Sequence, residues 1–154
     1  MWRALLVVFA LGAMAVMLNR SSLPRGIRNH NPGNIRRSGD AWQGLAPVQA
    51  DPAFFQFVDP VYGIRALVRI LDNYQRKHGL RTVRQIINRW APPVENDTGA
   101  YVAHAARSLG VDPDASIDVR DHMAALVRVI IQHENGQQPY SGAQIAQGIE
   151  RGLA

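Results

Sequence analysis

The stretch Val119 to Tyr140, VRDHMAALVRVIIQHENGQQPY, most constrains this chain, because its apolar pattern runs into a carboxylate. Stepping back from Glu134 by helical intervals meets Ile131, Ile130, Val127 and Met123, which puts the glutamate on the apolar stripe, while Arg120, Asp121 and Arg128 take the wet side. Asp118 is a natural N-cap and Asn135-Gly136 followed by Pro139 a stop, so the spacing predicts a helix over about 119–134 whose last turn opens into a cleft. A carboxyl held against Ile and Val is desolvated; its charged form is disfavoured, its pKa rises, and it can donate a proton near neutrality. Periodicity alone equally allows a partly buried glutamate paired with an arginine or capping a neighbouring helix.

Ahead of this helix the pattern is uneven. Ala4 to Leu18 is fifteen uncharged, mostly apolar residues between Arg3 and Asn19-Arg20, short of the ~20 of a comfortable membrane span. Residues 1–19 read as an apolar signal-anchor that contacts the membrane through 4–18, with a cleaved signal peptide as the other reading, and 20–25 as a polar linker. Residues 26–154 form the remaining domain. From Gly26 to Asp59 glycine, proline, asparagine and aspartate break any helical period, which predicts turns and at most a short hairpin. NHNPGNIR (29–36) is the densest turn cluster, followed by Trp42, Gly44, Phe54, Phe55 and Phe57.

Four further helices follow from periodicity and caps. Asp59-Pro60 opens one carrying Ile64, Leu67, Val68, Leu71 and Tyr74 to a stop at Gly79. Thr82 and Gln85 make a capping box for one through Ile86, Ile87 and Trp90, stopped by Pro92-Pro93. Asp97 or Thr98 caps one carrying Tyr101, Val102, Ala105 and Leu109, and Ser141 starts a last one with Ile145, Ile149 and Leu153. The fold class expected is therefore mainly α with a small loop or hairpin lobe.

The chemistry available is restricted. There is no cysteine, so disulfides, thiolate zinc sites and thiol nucleophiles are excluded. Five histidines lack ligand spacing, since Gln137 stands four residues after His133 where a second histidine would be needed, and neither metal nor cofactor is expected. No G-x-S-x-G or glycine-rich phosphate loop occurs. The net charge of +5 favours polyanionic surroundings such as a membrane surface, cell wall or nucleic acid, but no helix carries a basic stripe interleaved with aromatics, so no nucleic-acid partner is expected. Of three glutamates, Glu150 reads as surface. Glu95 lies in WAPPVENDTGAY, where it can bind the first amides of the next helix or act in a cleft it shares with Tyr101.

NHNPGNIR, Trp42-x-Gly44, Phe54 and Phe57, and a helix beginning Tyr62-Gly63-Ile64 resemble, in order and spacing, the N-N-x-F-G-I-K, W-x-G and F-x-x-Y elements of flagellar-type glucosaminidases. ENDTGAYV (95–102) resembles the segments that close the cleft of soluble lytic transglycosylases, with Tyr101 on the matching tyrosine. Both families have the lysozyme-like fold and cleave peptidoglycan, but carry the catalytic glutamate upstream of these elements. Here IIQHENGQQPYS (130–141) looks like that upstream segment moved to the other end of the chain, so the resemblance implies a circularly permuted lysozyme-like domain. It implies Glu134 as general acid, with Glu95 or Asp40 as a second carboxylate for hydrolysis, or Glu134 alone in a lytic transglycosylase, the preferred route. Tyr101 would steady the developing charge, and Asn31, Asn34, Trp42 and Tyr140 would bind peptidoglycan glycan strands. The whole looks similar to phage lysins acting at the host inner membrane and periplasm or carried in the virion. The alternative is a non-catalytic, membrane-anchored phage structural or glycan-binding protein of the same fold.

Overall fold

The computed structural model describes residues 22–94 and 97–154. The expected anchor at 4–18 and Glu95 lie outside these residues. Among the described residues no helix is long and apolar enough to cross a membrane.

The structure is mainly helical. Its elements are α1 (Arg25–Arg28), α2 (Pro60–Arg76), α3 (Val83–Trp90), α4 (Thr98–Leu109), α5 (Met123–Asn135) and α6 (Gly142–Leu153). The caps read from sequence set most of the boundaries. Asp59 accepts from the Val61 amide ahead of α2, Thr82 and Gln85 close a capping box on α3, Asp97 accepts from Ala100 on α4, and Ser141 with Gln144 repeats the box on α6.

α2 and α5 fill the centre. Ile64, Leu67, Val68 and Leu71 of α2 and Leu126, Val127, Ile130 and Ile131 of α5 are all sealed from solvent in one core with Val83, Ile86 and Ile87 of α3 and Val102 and Ala105 of α4. α6 lies directly along α2, because Gly148 and Gly152, one helical turn apart, leave room for Ile64 and Val68. A smaller core of Ile35, Phe55, Phe57 and Ala66, flanked by Trp42, Leu45, Tyr62 and Trp90, lies beneath the loops of residues 29–58.

Two boundaries differ from the sequence expectation. α5 starts at Met123, not near 119, because the Val119 amide donates to the Gln75 side chain (2.9 Å) and the Asp118 carboxylate takes the Arg120 amide (2.9 Å). Residues 119–122 are thereby held in i→i+3 turns, seen in His122 N to Val119 O at 3.2 Å, and Asp118 caps a turn instead of the helix. At the other end, α1 takes in Arg25, read as linker. One turn of four residues has no period to detect, and it is tied down by the Arg25 guanidinium on Asp51 (2.6 and 2.7 Å).

The loop lobe contains two isolated antiparallel bridges, Arg36 with Phe54 and Leu45 with Phe57, instead of a hairpin. Side-chain amides take the places of ladder partners. Gln49 exchanges bonds with the Gln56 backbone (2.7 and 2.8 Å), and the Gln56 side chain accepts from Ala50 (2.7 Å).

Gly63 is where this lobe meets α2, since a Cβ there would lie 2.0 Å from the His30 carbonyl oxygen. Gly63→Ala is expected to cost about 2 kcal/mol or more, because backbone has to move to admit the methyl. Gly39→Ala, which meets nothing within 4 Å, should stay within about 0.5 kcal/mol in urea unfolding.

Candidate active site

Glu134 occupies the last turn of α5, just before Gly136 ends the helix with φ of 69°. Asn135 joins this helix end to the turn cluster, its amide nitrogen donating to Pro32 O (2.8 Å) and back to Ile131 O (3.0 Å). The cluster is itself internally braced. Asn31 is fully buried, donates to Ile35 O (3.0 Å) and Phe55 O (2.9 Å), and accepts from the Ile35 amide (2.9 Å). This brace presents Asn34, with φ of 49°, so that its amide nitrogen reaches Glu134 Oε2 at 3.2 Å.

The second oxygen is held from another side. Trp90, the last residue of α3, lies with its ring edge against Gly33 and donates from Nε1 to Glu134 Oε1 at 3.2 Å. Each carboxylate oxygen thus has one neutral donor. Burial raises the Glu134 pKa above the usual carboxylate range; the bonds from Asn34 and Trp90 and the charge of Arg36 oppose that rise without cancelling it. The half-buried acid lines a cavity of about 270 Å³ with Gly33, Asn34, Ile35, Arg36, Phe54, Ile70, Tyr74, Trp90 and Ala91. It is the sole carboxylate among the described lining residues.

Tyr101 lies behind this site. Its ring stacks on His133 at 3.9 Å between centroids, with planes 7° apart, and its hydroxyl is buried near the Trp90 side chain. Burial, then the charge of Glu134, pushes its phenol far above the ordinary value, so it stands as a neutral dipole. His133 is shifted the other way, first by burial and then by the neighbouring His104, whose ring is 4.8 Å off.

The remaining residues singled out from sequence fall elsewhere. Asn31, expected at a sugar subsite, is fully buried and spends its side-chain bonds on folding the turn. Trp42 packs in the small core with a buried Nε1, outside the cavity lining. Tyr140 is 8% exposed and belongs to the main core, where burial moves its phenol up to about 12. Neither lines this cavity. Asp40 is exposed, bonded by Ser38 Oγ at 2.7 Å, and does not line the cavity.

The sequence by itself does not mark Trp90, Asn135 or Arg36 as partners of Glu134. Trp90 fits the apolar period of α3, and only the need of a buried indole N–H for an acceptor marks it. Asn135 reads as part of a stop signal, and its side-chain bond to Pro32 spans 103 residues.

A helical domain with one partly buried acid at the head of a cavity is the class that fold and site define. The chain matches no protein-family model. It belongs to the family of Protein P5 of Pseudoalteromonas phage PM2, to which it is 37% identical over 147 residues, covering 94% of this chain and 91% of that protein. The chain is therefore a member of a phage protein family.

Because Asn34 and Trp90 favour the charged form of Glu134, removing either donor should raise its pKa further. Asn34→Gly, which accepts a positive φ, and Trp90→Phe are each expected to shift the Glu134 carboxyl upward in an NMR titration. A downward shift in either would break this account of the site.

Proposed function

We propose that the protein cleaves the β-1,4 bond between N-acetylmuramic acid and N-acetylglucosamine in peptidoglycan, as a lytic transglycosylase with Glu134 as its acid and then its base. The observation that carries this is a carboxyl whose pKa is raised by burial, with its two oxygens fixed by neutral donors from separate parts of the fold, at a cavity. A protonated Glu134 gives its proton to the glycosidic oxygen as the C1–O bond breaks. The C6 hydroxyl of the muramic acid residue then attacks C1, and its proton passes to the Glu134 carboxylate, giving a 1,6-anhydro end and restoring the acid.

One carboxylate among the described lining residues suits this route, which needs no second acid. Hydrolysis by a muramidase would need Glu95 or Asp40 opposite Glu134 as nucleophile or base. Tyr101, buried and neutral beside the acid, fits the steadying of an oxocarbenium-like charge. A lysozyme-like architecture in rotated order, and anchorage through residues 4–18 in host inner membrane or virion, belong to the same proposal and rest on motif order and on the apolar run. The phage origin of the relative is compatible with a virion or lysis setting.

In a zymogram, Glu134→Gln should lose about 10²-fold or more of the clearing activity. Mass spectrometry of products from the unsubstituted chain should show anhydro ends, one water lighter than reducing ends; reducing ends would make it a muramidase. Glycan binding without any release would leave a non-catalytic phage protein.

The acid also sets a pH dependence. Its folded pKa exceeds its unfolded value, so the stability it contributes is fully present below the unfolded value of about 4.3 and is lost as pH rises through the folded one. Relative to Glu134→Gln, the unsubstituted chain should therefore lose thermal stability as pH goes from about 4 to 8, and activity should fall over the same upper limb. A constant difference in Tm across that range would contradict the desolvation argument.

A further inference from the structure

Three asparagines meet over Gly26 of α1, and two of them are not free to turn. The Asn135 nitrogen is committed to Pro32 O (2.8 Å) and Ile131 O (3.0 Å), which aims its Oδ1 the other way, at Gly26. Asn31 is fixed by three bonds of 2.9 to 3.0 Å. Of the three only Asn34 is held loosely, its nitrogen 3.2 Å from Glu134 Oε2 and 3.4 Å from Glu134 O. A Cβ placed on Gly26 would lie 2.5 Å from Asn135 Oδ1, 2.7 Å from Asn34 Oδ1 and 2.9 Å from Asn31 O. Both Oδ1 atoms are buried with no hydrogen-bond partner among the described residues. Three acceptors therefore crowd one spot, to which the glycine offers only a Cα–H, a weak donor.

A half-turn of the Asn34 carboxamide exchanges its oxygen and nitrogen in nearly the same volume. The nitrogen then faces Asn135 Oδ1 and gives that buried oxygen a donor, while the Asn34 oxygen faces Glu134. An ionised Glu134 opposes this turn, because oxygen would meet oxygen. A protonated one favours it, because it supplies the O–H that the turned amide accepts. Glu134 Oε1 faces Trp90 Nε1, which donates and accepts nothing, so the hydrogen is carried on Oε2, the oxygen beside Asn34. We propose that Asn34 is a positioning residue that turns with the proton of Glu134, nitrogen toward the carboxylate and oxygen toward the acid, and so keeps the exchangeable hydrogen on Oε2. This rests on the peptidoglycan reading above only for its consequence, that Oε2 is the atom that gives the proton to the glycosidic oxygen and takes it back. The bond to the ionised form is charge-assisted and the stronger of the two, so losing Asn34 still raises the carboxyl. Arg36 of the loop lobe, Tyr74 of α2 and Tyr101 of α4 also face the acid, with His133 of α5 stacked on Tyr101 and His104 beyond it, while α3 presents the neutral Trp90. These groups move the titration midpoint and leave the choice of amide face to the hydrogen itself.

Nuclear Overhauser contacts in isotope-labelled full-length protein report the amide's direction. The contact between the Asn34 Nδ2 hydrogens and the Gly26 Hα should be strong below the titration midpoint of the Glu134 carboxyl. It should weaken through that same midpoint as pH rises from about 4 to 8. In Glu134→Gln protein the Trp90 N–H draws the new amide's oxygen to its own side, which leaves an N–H facing Asn34. There the Gly26 contact should stay strong at every pH. A contact that holds constant across the Glu134 titration of the unsubstituted chain, or one that titrates in Glu134→Gln, overturns the inference. Product release is measured separately: a chain that yields no anhydro ends but whose amide turns retires the catalytic reading alone, and one that yields them with a fixed amide retires this inference alone.

Discussion

The site depends on one tie, the bond from the Asn135 amide to Pro32 O, which fastens the end of the central helix to a turn a hundred residues earlier. The tie holds the helix end against the turn that carries Asn34, one of the two donors to the Glu134 carboxyl. With it, Glu134 is pressed against Asn34 and the indole of Trp90 and is half-buried, and that burial raises its pKa. The tie also explains why Asn135 is itself buried at the point where a helix usually frays.

A second layer of organisation supports the first. The lobe that presents Asn34 has almost no strand, and its backbone groups are instead satisfied by Asn31, Gln49, Gln56 and Asp51 side chains. Short polar side chains can close turns that a ladder could not, and so the lobe can bend tightly over Gly63 and Gly44 and still bury Phe55 and Phe57. The helical body beneath is the rigid part, fixed by apolar contact, while the lobe is shaped by directional bonds.

What could be read from the residues follows the same division. Helices α2, α3, α4 and α6 were legible because their caps and periods are local, within three or four residues of each boundary. The inward placement of Glu134 was legible from the stripe on α5, and its approach to the asparagine-rich turns from the motif resemblance. The start of α5 was not, because Gln75, some 44 positions away, takes the Val119 amide. Nor were the parts of Asn31 and Tyr140, since a turn asparagine that braces its own loop and one that faces a ligand have the same letter, and only burial separates them.

The material of the cradle has one more consequence. Its braces are carboxamides, which gain and lose no proton, together with Asp51, whose carboxyl is kept ionised far into the acid range by the Arg25 guanidinium. A proton can therefore come and go at Glu134 without any of these carboxamide braces changing its own charge.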